Sequence, residues 1–169
     1  MSKLLDWEFT PKWQQRWAEW MTPGGHGALA DVRNEHLAWA PLAKPLAECT
    51  VMLLTTGGIH LRTQTPFDVM KKDGDWSHRE IPSDSPPDSL TITHTHYNHL
   101  DADRDVNCMF PIERLPELRE QGVIGGVART HFGLMGWVPD PRSTVRDTVP
   151  AIVARAKAEG VDIALLTPG

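Results

Sequence analysis

The chain has 169 residues, of which 40% are hydrophobic and 23% are charged, and its formal net charge is −5 at pH 7. This length fits one domain with a real hydrophobic core, and the composition excludes a disordered, coiled-coil or collagen-like chain. Because the net charge is negative and lysine and arginine form no stripe, nucleic acid is not an expected partner.

The sequence contains no candidate membrane span. Its longest apolar runs, residues 51–54 and 163–166, are far shorter than the ~20 residues that a span needs. The N-terminus lacks the apolar core of a signal peptide, so we expect a cytoplasmic protein. Cys49 and Cys108 match no metal or redox spacing, and each is expected to be a buried, inert thiol.

Residues 1–48 are rich in tryptophan and are expected to form a helical lead-in to the main domain. Trp13, Trp17 and Trp20 recur at the i, i+4, i+7 spacing of one helix face. This face is expected to pack on the rest of the domain. The alternative is packing against a second copy in a homo-oligomer, since aromatic rings contribute strongly to interfaces.

Residues 49–169 predict an α/β domain. Three segments have the composition of buried strands: residues 51–54, 89–93 and 161–166. Helical patterns over residues 111–121 and within 143–159 separate the last two, and Gly122 and Gly160 stand where C-caps belong. Strands that alternate with helices predict a parallel sheet of the doubly wound type with flanking helices.

Residues 66–88 form a polar connection that is longer than an ordinary loop. Within it, residues 76–81 have the composition of a short edge strand. The alternative interpretation is a lid over a binding site.

Small or polar residues follow each predicted strand. Residues 55–58 follow the first strand, residues 94–96 follow the second, and Thr167 follows the third. In parallel sheets, ligands bind at the carboxyl ends of the strands. We therefore expect a substrate site for a small molecule at this edge.

Four histidines are candidate catalytic groups: His60, His94, His96 and His131. An imidazole with an ordinary pKa near ~6.5 suits proton transfer at neutral pH. A lone histidine is also often structural, so this alternative stays open for His60 and His131.

Thr55, Thr56, Gly57, Gly58 and Thr167 are candidate substrate-binding residues. Glycine lets backbone N–H groups approach a carboxylate or a phosphate closely. A plain turn after the first strand is the alternative.

Asp101, Asp105 and Asn107 are further candidate substrate-binding residues. They are expected either to orient His94 or His96 or to cap a helix near residue 111, and capping is favoured for Asn107. Arg114 is a candidate for binding a substrate carboxylate through its two-pronged guanidinium. An ion pair with a neighbouring glutamate is the alternative for Arg114.

His94, His96 and His99 suggest a zinc site as a second interpretation. Two histidines at i, i+2 share one face of an extended segment, and neutral imidazoles are zinc ligands. The string is similar to the THxHxDH motif of metallo-β-lactamase-fold hydrolases, but Asn98 stands where that family has the carboxylate that binds a second metal. A zinc-dependent hydrolase is therefore an alternative function.

A second resemblance covers residues 39–169. The matching stretches are VMLLTTGGIH (51–60), GDWSHREIP (74–82), HTHYNHLDADRDVNCMFP (94–111), residues 114–118, HFGLMGW (131–137) and GVDIALLTPG (160–169). In order and spacing they resemble the selenoprotein B component family of the glycine, sarcosine, betaine and D-proline reductases, especially its short members. This match is more specific than one histidine cluster.

The resemblance implies an oxidoreductase that cleaves a small amino-acid-like substrate reductively with a selenolate or thiolate, often with a pyruvoyl-bearing partner subunit. No cofactor is expected in this chain itself. In that family the segment like ALLTPG leads into the catalytic selenocysteine or cysteine, so the nucleophile is expected after Gly169.

We therefore expect a chain that is truncated at a selenocysteine codon, incomplete in fold at its C-terminus and inactive alone. A selenol suits such a site because the nucleophile must be an anion at neutral pH, where a free cysteine, with a pKa near ~8.5, is mostly protonated. A genuine truncation, or a non-catalytic assembly module, is the alternative.

Overall fold

A computed structural model describes residues 40–168. These residues belong to one compact unit, Ala40–Gly169. The predicted helix with Trp13, Trp17 and Trp20 lies outside the described residues, and the boundary at residue 48 stays a prediction.

Seven strands are present in the described part of the chain: β1 (Thr50–Thr55), β2 (Ile59–Leu61), β3 (His78–Pro82), β4 (Leu90–Ile92), β5 (Gly126–Val127), β6 (Thr130–Leu134) and β7 (Ile163–Thr167). β1 is the central strand of the main sheet. It pairs in parallel with β5 and β6 along one side and with β7 along the other. β3 pairs antiparallel with β6 at the outside of the sheet.

The helices lie between these strands: α1 (Leu100–Arg104), α2 (Arg114–Glu120), α3 (Pro141–Ser143) and α4 (Val149–Ala158), with short 3-10 helices at Leu46–Glu48, Pro87–Ser89 and Val106–Cys108. A π-helical turn, Thr144–Thr148, joins α3 to α4. None of the helices within residues 40–168 is long and apolar enough to cross a membrane. The predicted α/β class, a mostly parallel sheet with flanking helices, is confirmed.

The strand predicted over residues 89–93 forms, but its predicted place in the parallel sheet is wrong. It is β4, which pairs antiparallel with β2 in a separate two-stranded sheet. This small sheet packs on the main sheet at Gly133, where a Cβ would overlap the carbonyl oxygen of Ile59. The strand with which β4 pairs depends on this close approach between segments that are distant in the chain. The sequence around β4 does not reveal that approach.

Alternate residues of β1 pack into two clusters on opposite faces of the main sheet, because successive strand side chains point to opposite sides. Val51 and Leu53 pack with the small sheet and with α2, whereas Met52 packs with Phe132 and with Ile152 of α4. Burial on both faces makes β1 an almost continuous apolar run, as is typical of a central parallel strand.

The helix ends follow the predicted caps. Gly122 and Gly160 adopt φ values of 71° and 67°, the left-handed conformation that glycine tolerates best after a helix. Pro116 lies in the first turn of α2, where its missing N–H is harmless. Pro150 lies inside a longer helical run and follows the π-helical turn.

The connection over residues 66–88 contains the predicted edge strand, which is β3. The segment before it is fixed by hydrogen bonds: the Asp75 carboxylate accepts from the backbone N–H groups of Asp68 and Ser77. The Arg79 guanidinium donates to the carbonyl oxygen of Thr65 and lies over the ring of Phe67. These contacts favour a structural role for the connection over the lid interpretation.

Candidate functional site

The carboxyl ends of three parallel strands meet at one edge of the main sheet. Thr55 pairs with Gly133 of β6 on one side and with Thr167 of β7 on the other. The backbone N–H of Thr56 then donates to the carbonyl oxygen of Thr167 at 3.1 Å. The polar residues after β1 and β7 are therefore direct neighbours, as the sequence predicted.

The histidine-rich segment reaches the same edge, although β4 belongs to the other sheet. The N–H of Thr93 donates to the carbonyl oxygen of Gly58 at 2.9 Å. The Tyr97 hydroxyl donates to the carbonyl oxygen of Gly57 at 2.7 Å. Gly58 has a φ of 73°, and a Cβ there would overlap the carbonyl oxygen of Thr93, so only glycine permits this approach.

A fourth segment, which follows β6, completes the cluster. Gly57 forms an isolated antiparallel bridge with Met135. Two residues later, the Trp137 ring stacks on the His96 ring with a centroid distance of 4.4 Å and an interplanar angle of 12°. We call the cluster formed by residues 55–58, 93–97, 135–137 and 167 the carboxyl-edge site.

His94 is a buried polar side chain of this site whose ring is fixed by a backbone hydrogen bond. It is 9% exposed, and its Nδ1 accepts the backbone N–H of His96 at 3.1 Å. A backbone N–H can only donate, so Nδ1 holds a lone pair and the neutral ring has its proton on Nε2. Burial, together with the His96 and His99 imidazoles, lowers the pKa of His94 to about 4, so the ring is neutral at pH 7.

His60 is placed as a structural group. It is 2% exposed and its two ring nitrogens are both used: Nδ1 donates to the carbonyl oxygen of Leu61, and Nε2 accepts from the Thr93 hydroxyl, each at 2.8 Å. Burial lowers its pKa. His60 therefore holds β2 to the end of β4 and has no ring nitrogen left for a substrate.

His131 lies in the core and not at the edge. It is fully buried on β6, and its Nδ1 accepts the backbone N–H of Leu53 at 3.2 Å. Burial lowers the pKa of His131 to about 4. The structure therefore favours the structural alternative for this residue over proton transfer with a substrate.

The turn after β1 does not present its N–H groups to a ligand, which corrects the expected basis for anion binding there. Thr56 N–H donates to Thr167, Gly57 N–H donates to the Thr55 hydroxyl, and Gly58 N–H donates to the carbonyl oxygen of Leu134. The glycines serve close packing, since a Cβ at Gly57 would overlap Met109. Any substrate role for these residues would have to involve other atoms of the turn.

Sequence reasoning missed Tyr97 and Trp137 as members of the site. Burial, with the charges of Asp103 and Cys108, raises the pKa of Tyr97 to about 12, so its phenol stays protonated as a donor. Tyr97 is the only tyrosine in the sequence and stands between the histidines. Its position between the histidines was the one sequence feature that could have identified Tyr97 as a site residue. The sequence around Trp137 contains no feature that predicts its stacking on His96.

Asp105, Asn107 and Arg114 have local roles near α1 and α2. Asp105 accepts the Asn107 N–H at 3.0 Å, and the Asn107 side-chain oxygen accepts the N–H of Glu113, the N-cap residue of α2. Asn107 therefore binds the residue that precedes α2, but the helix itself has no side-chain cap, so capping by Asn107 stays a prediction. Arg114 pairs with Glu117 at 3.0 Å, which is the expected alternative to a substrate contact.

Asp101 does not orient a histidine of the site. Its side chain is 86% exposed and pairs with Arg104 at 3.3 Å. A substrate role for Asp101 has no support from these contacts.

The histidines do not form the alternative zinc site. His99 Nδ1 lies 2.8 Å from the Asp103 carboxylate, His96 stacks on Trp137, and the lone pair of His94 is taken by a backbone N–H. Among residues 40–168, no three His, Cys, Asp or Glu side chains are grouped to hold a metal ion. The zinc hydrolase interpretation therefore has no support in the geometry.

The two cysteines differ in environment. Cys49 is buried as expected, whereas Cys108 is exposed, which corrects the expectation of a buried thiol. Partial desolvation and the carboxylates of Asp105 and Asp101 raise the pKa of Cys108. A raised pKa reduces the thiolate fraction, so Cys108 is a poor nucleophile at neutral pH.

Two characterised proteins are similar to this chain. The D-proline reductase subunit gamma of Acetoanaerobium sticklandii is 37% identical over 131 residues, which are 78% of this chain and 53% of that protein. The glycine reductase complex component B subunit gamma of Carboxydothermus hydrogenoformans is 27% identical over 130 residues, 75% of this chain and 29% of that protein. The chain thus spans about half the length of the first relative and less than a third of the second. No family model and no solved structure matches the chain.

Proposed function

Because this chain belongs to the selenoprotein B component family of the glycine, sarcosine, betaine and D-proline reductases, we propose that it forms the substrate-activating α/β part of a selenol- or thiol-dependent oxidoreductase. Its substrate is a small amino-acid-like molecule, and the reaction takes place at the carboxyl-edge site.

The convergence of four chain segments at one sheet edge is the observation that supports the proposal most strongly. Thr56 contacts Thr167, Gly57 and Gly58 contact the histidine-rich segment, and His96 stacks on Trp137. Small-molecule sites of open α/β sheets form at the carboxyl ends of the strands. The aromatic rings of His96 and Trp137 at this edge are suited to a small substrate.

We place the nucleophile in the polypeptide that follows Thr167, as the family resemblance implies. β7 ends beside β1, so a residue soon after Thr167 would lie next to the turn at residues 55–58. Neither cysteine of the chain suits the role, since Cys49 is buried and the pKa of Cys108 is raised. The selenolate or thiolate would cleave the substrate reductively with two electrons from a dithiol donor, while a pyruvoyl-bearing partner subunit holds the amine.

The nucleotide sequence after the codon for Gly169 tests the identity of the nucleophile. As the family resemblance implies, we expect a selenocysteine or cysteine codon there. A continuation that encodes neither residue soon after Thr167 contradicts this part of the proposal.

A reductase assay tests the activity. The 169-residue protein is incubated with a dithiol and, in turn, D-proline, glycine, sarcosine and betaine, and we expect no turnover because the nucleophile is absent. The full reading frame with its partner subunit is expected to reduce one of these compounds. Turnover by the 169-residue protein alone would contradict the proposed position of the nucleophile.

A further inference from the structure

A cavity of about 410 Å³ lies between the small sheet and α1. Residues of β4 line it on one side, and residues of α1 and of the 3-10 helix Val106–Cys108 line it on the other. None of the residues that form the carboxyl-edge site belongs to this lining. Small-molecule sites have volumes of roughly 300–1,000 Å³, so the cavity is large enough to hold a small ligand of its own.

One part of the cavity lining is apolar. Leu90, Ala102 and Val106 are buried residues of this lining, and Ile92 of β4 lines the cavity beside them. Leu90 and Val106 also belong to the hydrophobic core on this face of the main sheet, which fixes their position. A ligand with an aliphatic chain would bury that chain against these side chains.

The charged part of the lining has a formal excess of two negative charges. It consists of four carboxylates and two guanidinium groups: Asp88, Asp103, Asp105, Glu113, Arg62 and Arg104. The Arg104 guanidinium binds the Asp101 carboxylate, which is not part of the lining, at 3.3 Å. The Arg62 Nε donates to the backbone carbonyl oxygen of Asp88 and leaves the carboxylate of that residue unpaired. This charge balance favours a cationic ligand over an anionic one.

Three of the carboxylates are each held by one oxygen, and the other oxygen is left for a ligand. Asp103 Oδ2 binds His99 Nδ1, Asp105 Oδ1 accepts two hydrogen bonds from Asn107, and Glu113 Oε2 accepts the Asn107 side-chain amide. Asp103 Oδ1, Asp105 Oδ2 and Glu113 Oε1 have no hydrogen bond among residues 40–168. The Asn107 hydrogen bonds also lower the pKa of Asp105, so that its carboxylate is ionised at pH 7. Carboxylates fixed in this way lose little freedom when an ammonium group binds them.

We propose that this cavity binds a small aliphatic dication, a molecule in which a short alkyl chain joins two ammonium groups. The alkyl chain contacts Leu90 and Val106, and the ammonium groups bind the carboxylate oxygens that the protein leaves unused. A metal ion would gain nothing from the apolar lining, and the described part of the chain has no three His, Cys, Asp or Glu side chains grouped to hold one. The inference does not depend on the reductase proposal, because the two sites share no residue.

Calorimetry on the 169-residue protein at constant ionic strength tests the ligand class. The probes are 1,4-diaminobutane, 1-aminobutane and 1,4-butanediol, which share a four-carbon chain and carry two, one and no ammonium groups. We expect the diamine to bind at one site per chain, the monoamine to bind about threefold to tenfold more weakly, and the diol to bind most weakly. Absence of diamine binding, equal binding of the diol, or several equivalent diamine sites overturns the inference.

Variants test the role of the carboxylates. Asp105→Asn and Glu113→Gln each remove one negative charge but keep an oxygen that can accept the hydrogen bonds of Asn107. Each is expected to weaken diamine binding about threefold to tenfold. Glu120→Gln is the matched control, since Glu120 is an exposed carboxylate of α2 that does not line the cavity, and it is expected to bind the diamine like the unmodified protein. An equal loss of affinity in the control and in the two cavity variants would show general attraction to an acidic protein and would contradict the site.

The position of the site is tested on the unmodified protein, so this test does not depend on the folding of a variant. Addition of 1,4-diaminobutane is expected to shift the backbone amide NMR signals of residues 90–92 and 102–107 and to leave those of residues 55–58 and 93–97 unchanged. Shifts at the carboxyl-edge site without shifts around the cavity overturn the inference. Thermal unfolding of each variant confirms that it is folded before affinities are compared.

Discussion

The Nδ1 atom of His131 accepts a hydrogen bond from the backbone N–H of Leu53, inside the main sheet. The pairing of β1 with β5 ends at Val51↔Val127, and its pairing with β6 begins at Leu54↔Phe132. Between these pairs, the two residues 52–53 of β1 lie opposite the four residues 128–131 of the neighbouring segment. The Leu53 N–H thereby loses a ladder carbonyl as partner, and the imidazole replaces it. His131 is thus part of the sheet hydrogen bonding that brings β6 to the edge beside Thr55.

Replacing His131 should destabilise the fold. His131→Phe keeps most of the volume but leaves the buried Leu53 N–H without an acceptor, at a cost of about 1–3 kcal/mol. Part of this cost is offset because the change also removes the buried and unpartnered Nε2–H of the imidazole. The free energy of unfolding is measured in urea, with His99→Phe as a control that is expected to change it by less than about 0.5 kcal/mol. A His131→Phe protein as stable as the unmodified one would contradict the role assigned to this hydrogen bond.

Acidification should destabilise the protein between the ordinary histidine pKa and about 4. Burial lowers the pKa values of His94 and His131 to about 4, whereas in the unfolded chain these rings titrate near 6.5. Between these values the unfolded chain binds more protons, so stability is greatest above about pH 6.5 and falls as the pH drops towards 4.

The free energy of unfolding, measured in urea at a series of pH values, checks this. His131→Phe removes one of the buried histidines whose pKa is lowered, so its pH dependence should be shallower by about one proton. A stability that rises on acidification through this window would contradict the expected protonation states.

Alanine at Gly58 should be more harmful than alanine at Gly122. Both glycines have a left-handed φ, 73° and 71°, but a Cβ at Gly58 would overlap the carbonyl oxygen of Thr93, whereas nothing lies within 4 Å of a Cβ at Gly122. We expect Gly122→Ala to cost about 1–2 kcal/mol of backbone strain and Gly58→Ala about 1–3 kcal/mol more. If both variants lost the same free energy of unfolding in urea, the close contact between Gly58 and the histidine-rich segment would not contribute to stability.

Cys108 should react slowly with iodoacetamide at neutral pH. Its pKa is raised by partial desolvation and by Asp105 and Asp101, so its alkylation rate should be below that of a free cysteine peptide. Asp101→Asn removes one negative charge from an exposed position and should increase the rate. Mass spectrometry follows the reaction at each thiol, and buried Cys49 serves as the internal unreactive reference. If Cys108 were alkylated faster than the cysteine peptide, the conclusion that Cys108 is a poor nucleophile would be wrong.

Local patterns were sufficient for the elements with strong periodicity or clear caps. The apolar run of β1 predicted a strand because burial on both faces of the sheet requires apolar residues at successive positions. The glycines after α2 and α4 predicted the helix ends because a left-handed backbone conformation after a helix favours glycine. β6 was not predicted, since Thr130–Leu134 includes a histidine and a glycine, and residues 131–134 are buried only through contacts from β1, β3 and the small sheet.

The amino-acid sequence by itself determined the α/β class, the family, and the edge of the sheet at which polar residues collect. Only the tertiary structure decided what each histidine does. His60, His94 and His131 are chemically the same side chain, but each has different hydrogen-bond partners, and these lie on other strands or on neighbouring backbone. A ring nitrogen becomes a donor or an acceptor according to the group that faces it. Contacts between distant segments place the Leu53 N–H beside His131 and the Thr93 hydroxyl beside His60, whereas the local turn places the His96 N–H beside His94.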